Sequence, residues 1–304
     1  MTDIKKNLED VALYALLRDD RLKWPQIRDL LERAGSADAA LKEHLAAYLI
    51  DEEYIAALAE SRQTIAAFTA SGIHTDTYLS DTYPVQMLTV YDFPPVVYWR
   101  GYQDEADARS VAIVGTRTPS EGATKFVIEF AGLLGRQGIP VVSGLARGTD
   151  TAAMRASLDV GNRTVGVIGT GLNRQYPKEN AGLQEAIANG HLLLSQFHPD
   201  ASASPKTFPM RNVVMSAYSS MTVIAEAGEK SGTRVQAQAA VKHGRPLIIS
   251  RAVFQQTWGK DLVDRGLDVT VVSNAHEALA AVHEVHERQS RQGIIWAPGT
   301  LLVK

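Results

Sequence analysis

Glycine, hydroxyl and arginine side chains occur together directly after a short apolar run, and this combination is suited to holding phosphate. In the segment GTRTPSEG, Gly115, Thr116 and Arg117 follow the apolar run VAIV. Glycine lets the backbone approach a ligand, hydroxyls hydrogen-bond to phosphate oxygens, and arginine forms a charge-assisted pair with them. A tight turn with a solvent-facing arginine explains this one segment equally well, because it is not a GxGxxG motif.

The same composition recurs after two more apolar runs. SGLARGTD contributes Ser143, Gly144 and Arg147, and GTGLNRQYPKEN contributes Gly169 and Gly171. Three such segments are less probable as independent turns than as parts of one site. The repetition therefore favours a composite anion-binding site.

Two further loops add a ring, cations and hydroxyls to this set. They supply Lys206, Phe208, Arg211 and Asn212 around FPMRN, and Ser231, Gly232 and Thr233 in SGTR, which opens a helix. Rings that stack on bases and cations that hold phosphates are the usual contacts to single-stranded nucleic acid. Phe208 considered alone fits a core position as well.

The segments that must position these loops alternate between apolar runs and helical stretches. The runs are 111–114, 140–142, 164–168, 191–194, 221–225, 246–249 and 269–272. Apolar strands separated by helices predict an α/β fold with a Rossmann-like, doubly wound parallel sheet covered on both faces. Right-handed crossovers then bring the loops after the strands to one edge of the sheet.

Three regions are expected along the chain. Residues 1–71 have apolar side chains at helical spacing and predict a small helical, SAM-like module, with Ser36 capping one helix. Residues 72–105 are rich in Tyr, Val, Thr and Pro and predict an extended connector or hairpin. Residues 106–304 form the Rossmann-like domain.

Composition limits the possible classes of protein. The chain has 304 residues, no cysteine and a formal net charge of −3, yet residues 110–250 hold 14 Lys and Arg against 9 Asp and Glu. The absence of cysteine excludes disulfides, zinc–thiolate sites and thiol catalysis. No apolar run approaches the roughly 20 residues that span a bilayer, so we expect a cytoplasmic protein with no membrane partner.

Five motifs together resemble one family. VAIVGTR, VVSGLARGTDTAA, VIGTGLNRQYPKEN, FPMRN and SGTRVQAQAAVKHGRP are similar, in order and spacing, to those of the DNA-processing protein A family, also called DprA or Smf. The resemblance implies a non-catalytic single-stranded DNA binder that forms a homodimer and helps to load RecA recombinase in natural transformation or recombination. Carried over by position, the implied DNA contacts are Gly115, Thr116, Arg117, Ser143, Gly144, Gly169, Gly171, Arg211, Asn212, Ser231, Gly232 and Thr233.

The chain also departs from the family pattern. Met154, Gln196 and Val213 stand where members usually have His, Glu and Arg. We expect no winged helix after Ser250 and no glycine hairpin of a helix-hairpin-helix in the first module. These departures leave a second hypothesis open, in which the same pocket holds a small nucleotide and signals to a partner.

No catalytic residue, cofactor or metal site is expected. Related nucleotide phosphoribohydrolases have a Glu at the position of Gln236, and an amide cannot act as a general base. We expect Asp150 to cap a helix, and Glu226 to have a structural role, either neutralising a neighbouring Arg or accepting backbone hydrogen bonds. HEVHE lacks HExxH spacing, and neither a Ser-His-Asp arrangement nor a Walker lysine can be identified. N-glycosidic hydrolysis of a nucleotide is a third hypothesis.

Overall fold

The computed structural model describes residues 2–46 and 51–293. The chain divides into two compact units, one of Met1–Pro84 with Pro94–Trp99 and one of Val85–Phe93 with Arg100–Lys304. The division therefore lies inside the segment that the sequence predicts to be a connector. No helix among the described residues is both long enough and apolar enough to cross a membrane.

The first unit is mainly helical. Its elements are α1 (Thr2–Arg18), α2 (Trp24–Ala34), α3 (Ala37–Ala46), α4 (Asp51–Ala70), β1 (His74–Thr77) and most of β2 (Val96–Gly101). Ser36 caps α3 as expected, because its Oγ accepts a hydrogen bond from the Ala39 N–H at 3.1 Å. β1 and β2 pair antiparallel, so part of the predicted connector is a strand pair.

The second unit alternates strands and helices. Its elements are β3 (Val111–Val114), α5 (Glu121–Arg136), β4 (Val141–Ser143), α6 (Thr149–Asp159), β5 (Thr164–Val167), α7 (Ala181–Gly190), β6 (Leu192–Ser195), α8 (Thr207–Tyr218), β7 (Met221–Ile224), α9 (Thr233–Lys242), β8 (Leu247–Ser250), α10 (Arg251–Phe254), α11 (Thr257–Asp264), β9 (Val269–Val272) and α12 (Ala275–Arg291). The alternation is the one that the apolar runs predict.

The strands of this unit form a parallel sheet in the order β6-β5-β4-β3-β7-β8-β9. Val111 of β3 is in register with Val141 of β4 on one side and with Met221 of β7 on the other. The chain thus adds β4, β5 and β6 in turn on one side of β3. It then crosses to the other side of β3 and adds β7, β8 and β9 there. Ligands of such sheets bind at the carboxyl ends of the strands near this reversal.

Both faces of the sheet are covered. Val111 and Ile113 belong to a buried apolar cluster with side chains of α5, α6 and α12. Ala112 and Val114, which point to the opposite face because side chains alternate along a strand, are also buried. The predicted Rossmann-like, doubly wound α/β class is confirmed.

The segment FPMRN corrects one prediction about the loops. We expected a loop, but Phe208 to Asn212 lie in the first turns of α8. Pro209 is compatible with helix there because the first turn has no intrahelical partner for its missing N–H.

Candidate nucleic-acid interface

The backbone after β3 is fastened to the helices and strand beside it. The Thr116 N–H donates to the carbonyl of Glu226 at 2.8 Å, and Thr149 donates its N–H and Oγ1–H to the carbonyl of Thr116 at 3.2 and 3.0 Å. Thr233, which is buried, donates its Oγ1–H to the carbonyl of Gly115 at 3.0 Å. A Cβ atom on Gly115 would lie 2.5 Å from Thr149 Oγ1. Packing within the protein thus already requires Gly115.

Glu226 has the structural role that we expected. Its Oε2 accepts a hydrogen bond from the Ser120 N–H at 2.7 Å. Ser120 in turn caps α5, since its Oγ accepts from the Ala123 N–H at 3.2 Å. The carboxylate therefore holds the loop between β3 and α5 against the end of β7.

The side chain of Ser143, at the end of β4, points into the sheet. It is fully buried and donates its hydroxyl to the carbonyl of Ile113 at 2.7 Å. Its hydroxyl is therefore not on the surface where we predicted a ligand contact.

Asp150 and Asn180 fix the loop that follows β4. Leu145 has a left-handed backbone with φ of 58°, a conformation that is costly for a branched residue. Asp150 Oδ2 accepts from the N–H groups of Gly144 at 3.1 Å and Ala146 at 3.3 Å, and Asn180 donates to the Leu145 carbonyl at 2.8 Å. The expectation that Asp150 caps α6 is wrong, because its carboxylate binds the preceding loop instead.

Arg211 lies beneath these loops. It is 8% exposed, and it donates from Nη1 to the carbonyl of Val167 at 3.1 Å and from Nε to Asn212 Oδ1 at 3.0 Å. Burial lowers the pKa of Arg211, whereas the charge of Asp150 acts in the opposite direction. Burial likewise raises the pKa of Asp150, against the effect of Arg211. Inside the protein, each of these two groups therefore favours the ionised form of the other.

Arg117, Phe208 and Tyr176 form a row at the strand ends, which we call the aromatic row. Arg117 and Tyr176 are exposed, and Phe208 between them is half-buried. The Arg117 guanidinium carbon lies 5.9 Å from the centre of the Phe208 ring, and the rings of Phe208 and Tyr176 are 5.4 Å apart at 41°. A Cβ atom on Gly169 would lie 3.0 Å from Phe208 Cδ1, so Gly169 leaves room for this ring. Tyr176 is 44% exposed.

The sequence did not single out Tyr176 as a site residue, although it lies within GTGLNRQYPKEN. An aromatic side chain beside Lys178 in a glycine-rich segment is a signal that would have identified it.

The remaining predicted residues differ in exposure. Arg147 and Lys206 are exposed, and so is Gly232, whereas Ser231 and Asn212 are half-buried. Gly171 is buried, since the carbonyls of His198 and Pro199 fill the space of its Cβ atom. The structure therefore brings Arg117, Phe208 and Tyr176 together on the surface and holds Ser143, Gly171 and Arg211 inside.

A hydrogen-bonded Ser-His-Asp set, which the sequence did not reveal, lies away from the aromatic row. His243 Nε2 is 2.6 Å from Asp92 Oδ1, and His243 Nδ1 is 2.9 Å from Ser216 Oγ. Ser216 lies inside α8 with no exposed surface. Because the hydroxyl cannot reach a substrate, the set tethers the 85–93 segment to α8 and does not form a hydrolytic site. Among the described residues, no cluster of three or more His, Asp or Glu side chains is placed to hold a metal ion.

A parallel sheet of this order, covered by helices on both faces, defines a Rossmann-like α/β protein. The profile of the DNA recombination-mediator protein A family matches residues 74–279, and the chain belongs to that family.

Curated relatives support this membership. The chain is 38% identical over 170 residues to the DNA processing protein DprA of Streptococcus pneumoniae, a match that covers 56% of this chain and 60% of the relative. It is 35% identical over 187 residues to DprA of Bacillus subtilis, covering 61% and 63%. The match thus spans less than two thirds of the length of either relative.

Solved structures of the same family have the same fold. The X-ray structure of DprA from S. pneumoniae superposes with a TM-score of 0.69 and 28% identity, covering 90% of this chain and 97% of that chain. DNA processing protein A from Helicobacter pylori, described for its unique single-stranded DNA binding mode, gives a TM-score of 0.61 and 26% identity, covering 69% and 96%.

Proposed function

We propose that this protein binds single-stranded DNA along the aromatic row and acts as a mediator of DNA processing and recombination, without catalysing a reaction. The aromatic row carries the proposal, because the Arg117 guanidinium and the Tyr176 ring both lie within 5.9 Å of the half-buried Phe208 ring and are themselves exposed. Membership of the recombination-mediator family and the DNA-binding relative from H. pylori support it. We further propose a cytoplasmic homodimer that loads RecA, including during natural transformation.

The chemistry of the row fits a single strand better than a duplex. Unpaired bases offer flat faces to Phe208 and Tyr176, and such stacking contributes roughly 1–3 kcal/mol per base. Arg117 and the exposed Lys206 supply positive charge for the phosphates between the bases. A small nucleotide would use only part of this surface.

Fluorescence polarisation with a labelled oligothymidine over a series of salt concentrations tests the proposal. We expect salt-sensitive binding, and we expect Arg117→Ala to lower the affinity about tenfold and to reduce the log K against log salt slope by about 0.7. Arg136→Ala is the matched control, because Arg136 is an exposed arginine at the C-terminal end of α5. Wild-type protein that does not bind the oligonucleotide overturns the proposal.

A ligand screen separates DNA binding from the alternatives. Thermal unfolding is measured with mononucleotides, dinucleotides and oligonucleotides, and we expect the largest stabilisation with oligonucleotides. Stabilisation by a mononucleotide alone would select the nucleotide sensor. Release of free base from a nucleotide that disappears in Glu226→Gln would select the hydrolase.

A further inference from the structure

Arg147 lies on the same edge of the sheet as the aromatic row but has a different electrostatic partner. Its guanidinium forms an ion pair with Glu179, and the two side chains are 64% and 51% exposed. Arg117, in contrast, lies over Phe208 and forms no ion pair with a carboxylate among the residues that the structure describes. One arginine of the site is thus free to meet a phosphate, and the other is already occupied.

The backbone beneath this ion pair is fixed. Asn180, which follows Glu179, is buried and donates from Nδ2 to the carbonyl of Leu145 and to Thr151 Oγ1, both at 2.8 Å. These bonds join the loop after β4 to the segment before α7. The ion pair can therefore open by rotation of two exposed side chains while both loops stay in place.

A carboxylate offers a guanidinium the same kind of paired oxygen acceptors as a phosphate does. A phosphate that binds the Nη2 donor of Arg147, or takes both sides of its fork, must therefore displace the carboxylate of Glu179. We propose that Glu179 is an internal competitor for Arg147, which lowers the affinity of the site for single-stranded DNA and weakens its salt dependence. This inference rests on the proposed function and names a regulating residue of the same site.

Counterions explain the effect on salt dependence. A free arginine that neutralises a phosphate releases a cation from the DNA, which contributes about 0.7 to the log–log slope for single strands. When Arg147 leaves Glu179 for a phosphate, the liberated carboxylate attracts a cation in return. The exchange then gives a smaller net release, so this arginine adds less to the slope in the wild-type protein than an unpaired arginine would.

A double-mutant cycle tests the competition. Binding of the labelled oligothymidine is measured for the full chain and for Glu179→Gln, Arg147→Ala and the double variant. We expect Glu179→Gln to raise the affinity and to steepen the slope. The gain in affinity should be about 1.4- to fivefold larger when Arg147 is present than when residue 147 is Ala, which is the range for an exposed ion pair. Glu185→Gln is the control of equal charge change, since Glu185 lies on α7 and pairs with Arg100 instead of Arg147.

Each result has a distinct meaning. An equal gain from Glu179→Gln in both backgrounds would mean that only general repulsion between the carboxylate and DNA operates, and it would overturn the competition. A gain in Glu185→Gln as large as that in Glu179→Gln would do the same. If the variants bind DNA with wild-type affinity, the inference fails while the proposed function stands; if no variant and no wild-type protein binds DNA, the proposed function fails first.

Discussion

The guanidinium of Arg211 fills the space beside Gly144 in which any other residue would carry a Cβ atom. The glycine that suggested close approach of a ligand is thus needed for the passage of a buried arginine. Arg211 reaches the carbonyl of Val167 through this gap and remains next to Asp150. One buried charge accordingly connects the ends of β4 and β5 with α8.

Gly144→Ala is expected to destabilise the protein. The added methyl group overlaps the Arg211 guanidinium, which is held by a hydrogen bond and cannot move without losing it, so we expect a loss of about 1–3 kcal/mol in the free energy of unfolding. Urea denaturation measures the change. Gly182→Ala is the control, because no atom outside the local backbone of α7 lies within 4 Å of its Cβ position. Equal stability of the two variants would contradict the packing argument.

The two rings of the aromatic row are expected to contribute separately to DNA affinity. Phe208→Ala and Tyr176→Ala should each weaken binding of the labelled oligothymidine by about 1–3 kcal/mol, because each removes one stacking face. Tyr176→Phe should keep most of the affinity, since it retains the ring. Tyr91→Ala is the control, as Tyr91 is a 67% exposed tyrosine outside the row. A similar loss in Tyr91→Ala would refute the assignment of the row.

We expect the free energy of unfolding to decrease as the pH is lowered, because His286 is buried in the folded protein. Burial lowers the pKa of this 2% exposed histidine from 6.5 to about 4. Between these two values the unfolded chain binds a proton that the folded protein excludes, so the free energy of unfolding decreases as pH falls, by up to about 3 kcal/mol. Above pH 6.5 the residue is neutral in both states and has no such effect.

Urea denaturation at several pH values checks this expectation. The decrease between pH 6.5 and 4 should be smaller in His286→Gln, which has no proton to bind. His276→Gln should behave like the wild type, because the side chain of His276 is 73% exposed. Parallel curves for wild type and His286→Gln would exclude a role for this histidine.

The positions of the strands could be predicted well because apolar runs carry a strong local signal. β3 and β9 have the predicted bounds, and β4 differs from its predicted run by one residue. FPMRN forms a helix and not the expected loop, because a proline interrupts a helix in its interior but is tolerated in the first turn, where Pro209 lies. Local composition does not show whether a proline lies in the interior of a helix or in its first turn.

The direction of each polar side chain could not be predicted. Ser143 and Arg211 have residue types that suit phosphate, but their partners, Ile113 and Val167, are 30 and 44 residues away in sequence. Only the folded arrangement decides whether such groups bind each other or a ligand. Tyr176 shows the converse, because its exposure beside Phe208 depends on the meeting of two distant segments.

Asp150 and Asn180 hold the loops after β4 and β5 in one arrangement before any ligand arrives. A preformed surface loses little conformational entropy on binding, so more of each stacking contact is retained as affinity. It also allows a strand to engage at its first well-oriented collision, without a slow rearrangement of the backbone. We therefore expect association with single-stranded DNA to be governed by electrostatic encounter, with differences between bases expressed mainly in how long the strand stays bound.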